Sequence, residues 1–99
     1  MGQAIEVEAR RVGDVVLFDT DRSITGQDGT TYESRSAAEE GERFPDRLAA
    51  RLFLSDTRID HIFVASNQVV VRRDGGWDDA AVDAASDVIA DFFLFYREG

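Results

Sequence analysis

One histidine, no cysteine and no lysine leave this 99-residue sequence few ways to make or break a covalent bond. A serine nucleophile would have to borrow His61 as its base, and neither Ser55 nor Ser66 stands in the strained Gly-x-Ser-x-Gly elbow that would present its hydroxyl. Carboxylates are more plentiful. Asp19 with Asp21, and Asp78 with Asp79, could divide acid and base work, but turns and helix starts collect acidic residues for structural reasons. Asp79, Asp83, Asp87 and Asp91 recur at helical spacing and form one acidic stripe. Oxygen ligands so placed suit a hard divalent cation, but calcium takes roughly six to eight of them and no loop has the EF-hand pattern. A solvated face is expected, its like charges costing about 0.2–0.5 kcal/mol per pair. Gly26-Gln27-Asp28-Gly29 and Gly75-Gly76 lack the spacing and the Lys of a phosphate loop, and Asp28 and Asp74 would repel a phosphate, so both read as turns. No catalytic residue, metal site or cofactor is expected.

The composition narrows the classes further. Eleven basic residues against twenty acidic ones give a net charge of −9, which repels nucleic-acid backbones unless the cations cluster, and in sequence they do not. The 43% hydrophobic and 10% aromatic content belongs to a folded domain rather than an acidic tail, and the length predicts a single domain over 1–99. Without Cys there is no disulfide framework, thiolate zinc site or Cys-ligated cluster in the chain. No apolar run near either end is long enough to cross a bilayer, and Met1-Gly2-Gln3 leads into Glu6, Glu8 and Arg10 instead of a signal-peptide core. A soluble, cytoplasmic protein is expected. Every basic residue is Arg and Asp outnumbers Glu, a pattern that both a salt-loving cell and a GC-rich genome produce.

These residues need elements to position them. Ile5 to Arg10 alternates as a strand with Ile5, Val7 and Ala9 inward; Gly13-Asp14 turns the chain, and Val15 to Phe18 returns as the second arm of a hairpin. Asp28-Gly29 marks a turn before a short extended piece at Thr30-Thr31-Tyr32. Ser36-Ala37-Ala38-Glu39 has the form of a capping box, and Pro45 demands a break near Gly41 to Phe44 with the helix restarting at Pro45. Leu48, Ala49, Leu52 and Phe53 continue at helical spacing. Ile59 to Val64 and Gln68 to Arg72 form a second hairpin. Setting Val64 against Val69 and Ile62 against Val71 places those four on one face and His61, Phe63, Val70 and Arg72 on the other. A last helix opens at Trp77-Asp78-Asp79, its stripe of Val82, Ala85, Ile89, Phe92, Phe93 and Tyr96 turned to the core. The expectation is an α+β fold of two layers, a four-stranded antiparallel sheet with two helices on one face, in the order ββαββα.

The stretch from Tyr32 to Phe93 resembles the N-terminal domain of the Nfu/NifU-type iron-sulfur scaffold proteins. The resemblance rests on Ser34-Arg35-Ser36-Ala37-Ala38-Glu39-Glu40, Pro45, Leu48-Ala49-Ala50-Arg51-Leu52-Phe53, Ile62-Phe63, Val69-Val70-Val71 and Trp77, in that order. It implies the same strand and helix order and a link to iron-sulfur cluster assembly or delivery. Two departures stand out. Ala9-Arg10-Arg11-Val12-Gly13-Asp14 occupies the place of the family's Thr-Pro-Asn-Pro-Asn element, and no Cys-x-x-Cys pair is present to hold a cluster. The resemblance therefore implies a companion domain that works through a separate Cys-x-x-Cys scaffold.

That leaves a surface for another protein. With Val16 and Phe18 under the helices, Val15, Leu17, Phe63 and Val70 project from the opposite face of the sheet beside His61 and Arg72, where clustered apolar area marks a partner site. Leu94 and Phe95 lie outside the last helix's apolar arc and form a secondary apolar surface. The expected function is a non-catalytic interaction domain whose partner is another protein or a second copy of the chain, with no membrane or nucleic acid involved. The alternative is a small ligand-binding or enzymatic domain built on His61 and nearby Arg and Asp residues, which requires a concave pocket around them.

Overall fold

The computed structural model describes residues 6–21, 24 and 29–95, with side chains as far as Phe93. Its elements in chain order are β1 (Val7–Val12), β2 (Val15–Thr20), β3 (Thr30–Tyr32), α1 (Arg35–Glu39), α2 (Phe44–Ser55), β4 (Ile59–Ala65), β5 (Gln68–Arg73) and α3 (Asp79–Phe95). The strands form one antiparallel sheet in the order β1-β2-β5-β4-β3. The α+β class holds, with five strands in place of the expected four and three helices in place of two. The fifth strand is the Thr30-Thr31-Tyr32 piece expected to be extended; its pairing with β4, thirty residues further on, leaves no local signal.

Alternation sets the core face. Val16 and Phe18 of β2, Ile62 and Val64 of β4, and Val69 and Val71 of β5 are all fully buried. Against them pack Leu48, Ala49 and Leu52 of α2, and Ala85, Ile89 and Phe92 of α3, in one continuous cluster. Each large member contributes about 1.5–3 kcal/mol by leaving water. Phe44 at the start of α2 lies edge-on to Phe92 at 4.9 Å and tilted against Phe93 at 5.0 Å, which ties the two long helices together. Ala9 stands opposite Phe18 on the core side of the edge strand β1, yet it is exposed. Ile5 and Tyr96 lie outside the described residues.

The helix break falls where Pro45 requires it, but the first helix starts earlier than its capping pattern indicates. Ser34, in extended backbone, is the cap, accepting from the Ala37 amide at 3.1 Å. Ser36 is inside the helix. Glu39 pairs with Arg35 one turn back at 3.2 Å instead of reaching the Ser36 amide. At the other end of the chain Asp78 accepts from the Ala81 amide at 2.8 Å and so caps α3.

Two clasps hold the connections. Trp77 donates Nε1 to the Asp14 carbonyl at 3.0 Å and lies edge-on to Phe18, while Arg73 bonds Asp56 at 2.7 Å and the Gly76 carbonyl at 2.8 Å. The crossing from β2 to β3 is pinned to the β4–β5 turn. Thr20 donates its amide to the Asn67 carbonyl at 2.9 Å, Asn67 Nδ2 donates to the Thr20 carbonyl at 2.8 Å, and Ile24 donates its amide to the Ser66 carbonyl at 2.7 Å. Ser66 meets these demands at φ 56°, a left-handed conformation that costs a non-glycine residue about 1–2 kcal/mol. Ser66→Gly is therefore expected to raise the melting temperature by several degrees, up to about 1 kcal/mol after the entropy glycine adds to the unfolded chain. A lower melting temperature would show that the serine side chain supports the turn.

Candidate functional site

The sheet face turned away from the helices carries the candidate site, and strand register lays it out. Across its middle, Arg10, Leu17, Val70, Phe63 and Thr31 stand side by side from one edge of the sheet to the other. Leu17 to Phe63 spans two strand spacings, about 10 Å. One step along the strands in one direction come Val12, Val15, Arg72 and His61. One step in the other come Glu8, Asp19, Gln68 and Ala65.

Val15, Leu17 and Val70 are half-buried; Phe63 is 37% and Val12 66% exposed. Among the described residues no element packs over this face. Ile24, the described point of the long crossing, joins the buried core instead of covering the sheet. The Phe63 ring is held by the backbone beside it. A Cβ on Gly29 would lie within 2.7 Å of the ring's Cε1, so the absence of a side chain at Gly29 lets the ring lie across the edge strand. All six open-face residues expected from the sequence, Val15, Leu17, His61, Phe63, Val70 and Arg72, therefore fall on one surface. The side chains of Leu94 and Phe95 lie outside the described residues.

His61 and Arg72 are opposite one another in register, but Arg72 is already engaged, its Nε donating to Asp60 Oδ1 at 2.9 Å. That hydrogen bond and the Asp60 charge, together with Asp14 and Glu33 nearby, strengthen the hold of the Arg72 guanidinium on its proton. Among the described residues the grooves lie elsewhere. A groove of about 310 Å³ between α2 and α3 is lined by Arg51, Leu54, Ser55, Val88, Asp91 and Phe92. A second, beside it, runs toward α1 past Glu39, Gly41, Glu42 and Arg47. Neither is lined by His61 or Arg72.

Sequence reasoning weighed Asp19 with Asp21 only as an acid–base pair and missed that they join Glu6 and Glu8 at a border of the apolar strip. Glu8 and Asp19 are directly opposed across β1 and β2, and with Glu6 and Asp21 they line a shallow depression of about 210 Å³ at one end of the strands. Their signal was present in the alternation of the first hairpin once β1 and β2 are paired in register. Among the described residues no three of these acids converge as metal ligands.

No family model matches the chain, and no curated protein matches it. Among solved structures, protein SAV1430 from Staphylococcus aureus is similar, with a TM-score of 0.62 over 88% of this chain and 99% of that one. That likeness is one of fold. At 10% sequence identity the two chains share an architecture while their surfaces are free to differ. Among the described residues no helix is long and apolar enough to cross a membrane.

Proposed function

We propose that this chain is a non-catalytic accessory domain that holds another protein on the open face of its sheet. The observation that carries the reading is the contiguity of Val15, Leu17, Val70 and Phe63 on a face that no described element covers. Apolar clusters set in a charged surface mark partner sites, and the chain as a whole carries a net charge of −9. The resemblance to the Nfu/NifU N-terminal domain supports a Cys-x-x-Cys cluster scaffold as the partner and iron-sulfur cluster assembly or delivery as the work. The alternative centred on His61 has less support, since Arg72 is bound to Asp60 and the grooves lie among the helices.

Affinity capture from the source cell with the full chain and its Phe63→Asp variant tests the reading. Phe63 is partly exposed, so the variant is expected to stay folded and to melt within about 1 kcal/mol of the parent. Captured cluster-assembly proteins are expected to be lost with Phe63→Asp by roughly 100-fold or more, as when a charge is set into the centre of an apolar interface. Recovery of no such protein by the parent chain, or equal recovery by both, would overturn the proposal.

A further inference from the structure

The open sheet face has a charge pattern that the fold does not require, and that pattern describes the occupant. Resting on the docking role proposed above, we propose that the face receives an amphipathic helix of a partner protein, apolar along one side and carrying basic residues at both ends of that side.

Two acidic borders flank the apolar strip along the strand direction. At one end stand Glu6, Glu8, Asp19 and Asp21, with Glu8 directly across from Asp19. Like charges opposed in this way weaken the hairpin that carries them. At the other end Arg72 is hydrogen-bonded to Asp60, while Asp14, in the turn between β1 and β2, and Glu33, next after Tyr32 of β3, both act on its charge. Among the described residues, Arg10, in the middle of the edge strand, is the remaining cation set on this face by strand register. Among the described residues both borders are thus net negative, with Leu17, Val70 and Phe63 between them.

The dimensions suit a helix laid along the strands. Asp19 and Val15 are four residues apart on β2, about 13 Å in extended chain. Roughly nine residues of α-helix cover the same distance; basic side chains at about i and i+7 or i+11, which share one side of a helix and are long enough to make up the difference, would reach the two borders while apolar ones at i+3 and i+4 met the strip. A second copy of this chain fits poorly. Face-to-face pairing about a two-fold axis sets either like borders together or one acidic border on the other, and each copy adds a net charge of −9.

The test uses two synthetic 16-residue helical peptides with the same leucine face, one with Lys and one with Glu at the two end positions. Each is titrated into the isotope-labelled full chain at low and moderate salt, and the binding site is mapped by amide shifts. The Lys peptide is expected to move the signals of Leu17, Phe63 and Val70, to weaken at least tenfold as salt rises, and to weaken again with the Glu8→Lys/Asp19→Lys double variant. The Glu peptide is expected to bind at least tenfold more weakly. Binding of the Lys peptide on the acidic face of α3, binding by neither peptide, or dimerisation of the free chain through the strip would overturn the inference. So would equal binding of the two peptides at the strip, a result that leaves the docking role standing and removes only the charge requirement. The role itself falls only if the capture experiment fails.

Discussion

Asp46→Ala is expected to destabilise the fold by about 2–4 kcal/mol and to lower its melting temperature by roughly 10–25 °C, because one buried carboxylate closes several bonds at once. Asp46 is 4% exposed. Its Oδ1 accepts from the Tyr32 hydroxyl and from Arg43 Nη2 at 3.2 Å; its Oδ2 accepts from the Arg43 amide at 3.1 Å and Arg43 Nε at 3.2 Å. The first turn of α2, the edge strand β3 and the chain entering α2 thus meet on a single side chain. Alanine leaves the buried Tyr32 hydroxyl and the capping amide without their acceptor, and such orphaned groups cost more than the bonds were worth.

The same site gives the fold a pH signature. Burial favours the protonated form of Asp46, but the hydrogen bonds from Arg43 and Tyr32 and the Arg43 charge outweigh it and hold the carboxyl below its ordinary 3.8. A depressed pKa in the folded state means that the stabilisation is complete above the ordinary value and is lost as pH falls through the depressed one. Tyr32 behaves in the opposite sense. Burial, then the hydrogen bond to Asp46 and its charge, raise the phenol above its ordinary 10.0, so its contribution holds below that pH and is lost as pH rises beyond it. Melting curves across acid and alkaline pH should therefore fall away at both ends for the parent chain. With Asp46→Ala the acid slope should flatten and the alkaline one shrink. A variant that melts within a few degrees of the parent at neutral pH would show that the carboxylate is dispensable.

Gly41→Ala carries the second large effect, about 2–3 kcal/mol, because the space a methyl group needs is already filled. A Cβ on Gly41 would overlap Oδ2 and Cγ of Asp46 and come within 3.0 Å of its Cβ. The carboxylate cannot retreat without releasing Tyr32 and Arg43. The two substitutions must then fail to add: in the Asp46→Ala background, Gly41→Ala should cost less than about 1 kcal/mol. Equal cost in both backgrounds, measured by denaturant unfolding, would place the glycine's role in backbone conformation alone.

Neither residue announced this role. An Asp in the first turn of a helix is ordinary in sequence, and a Gly before a Pro reads as a break. Their importance arises because β3, which pairs with a strand thirty residues away, carries the Tyr32 hydroxyl to the start of α2. The capping serine shows a smaller failure of the same kind. Ser34 and Ser36 both precede helical residues, and Glu39 favoured Ser36 on paper; in the fold Glu39 turns to Arg35 and Ser34 takes the amide.

What the amino-acid order determined by itself was parity and punctuation. Side chains alternate every residue in a strand, so Val16, Phe18, Ile62, Val64, Val69 and Val71 were legible as one buried face, and Val15, Leu17, Phe63 and Val70 as the other. Pro45 lacks an amide hydrogen, so it had to sit in the first turn of a helix. Only the tertiary structure decided which strands became neighbours, and with that everything that depends on adjacency between distant segments. It set β2 beside β5, joined two hairpins into one apolar strip, and brought the carboxylates of the first hairpin to one of its ends and those about Arg72 to the other. Periodicity acts within a segment and is written in it; pairing between segments is settled by the free energy of the whole core, which no single stretch of the sequence contains.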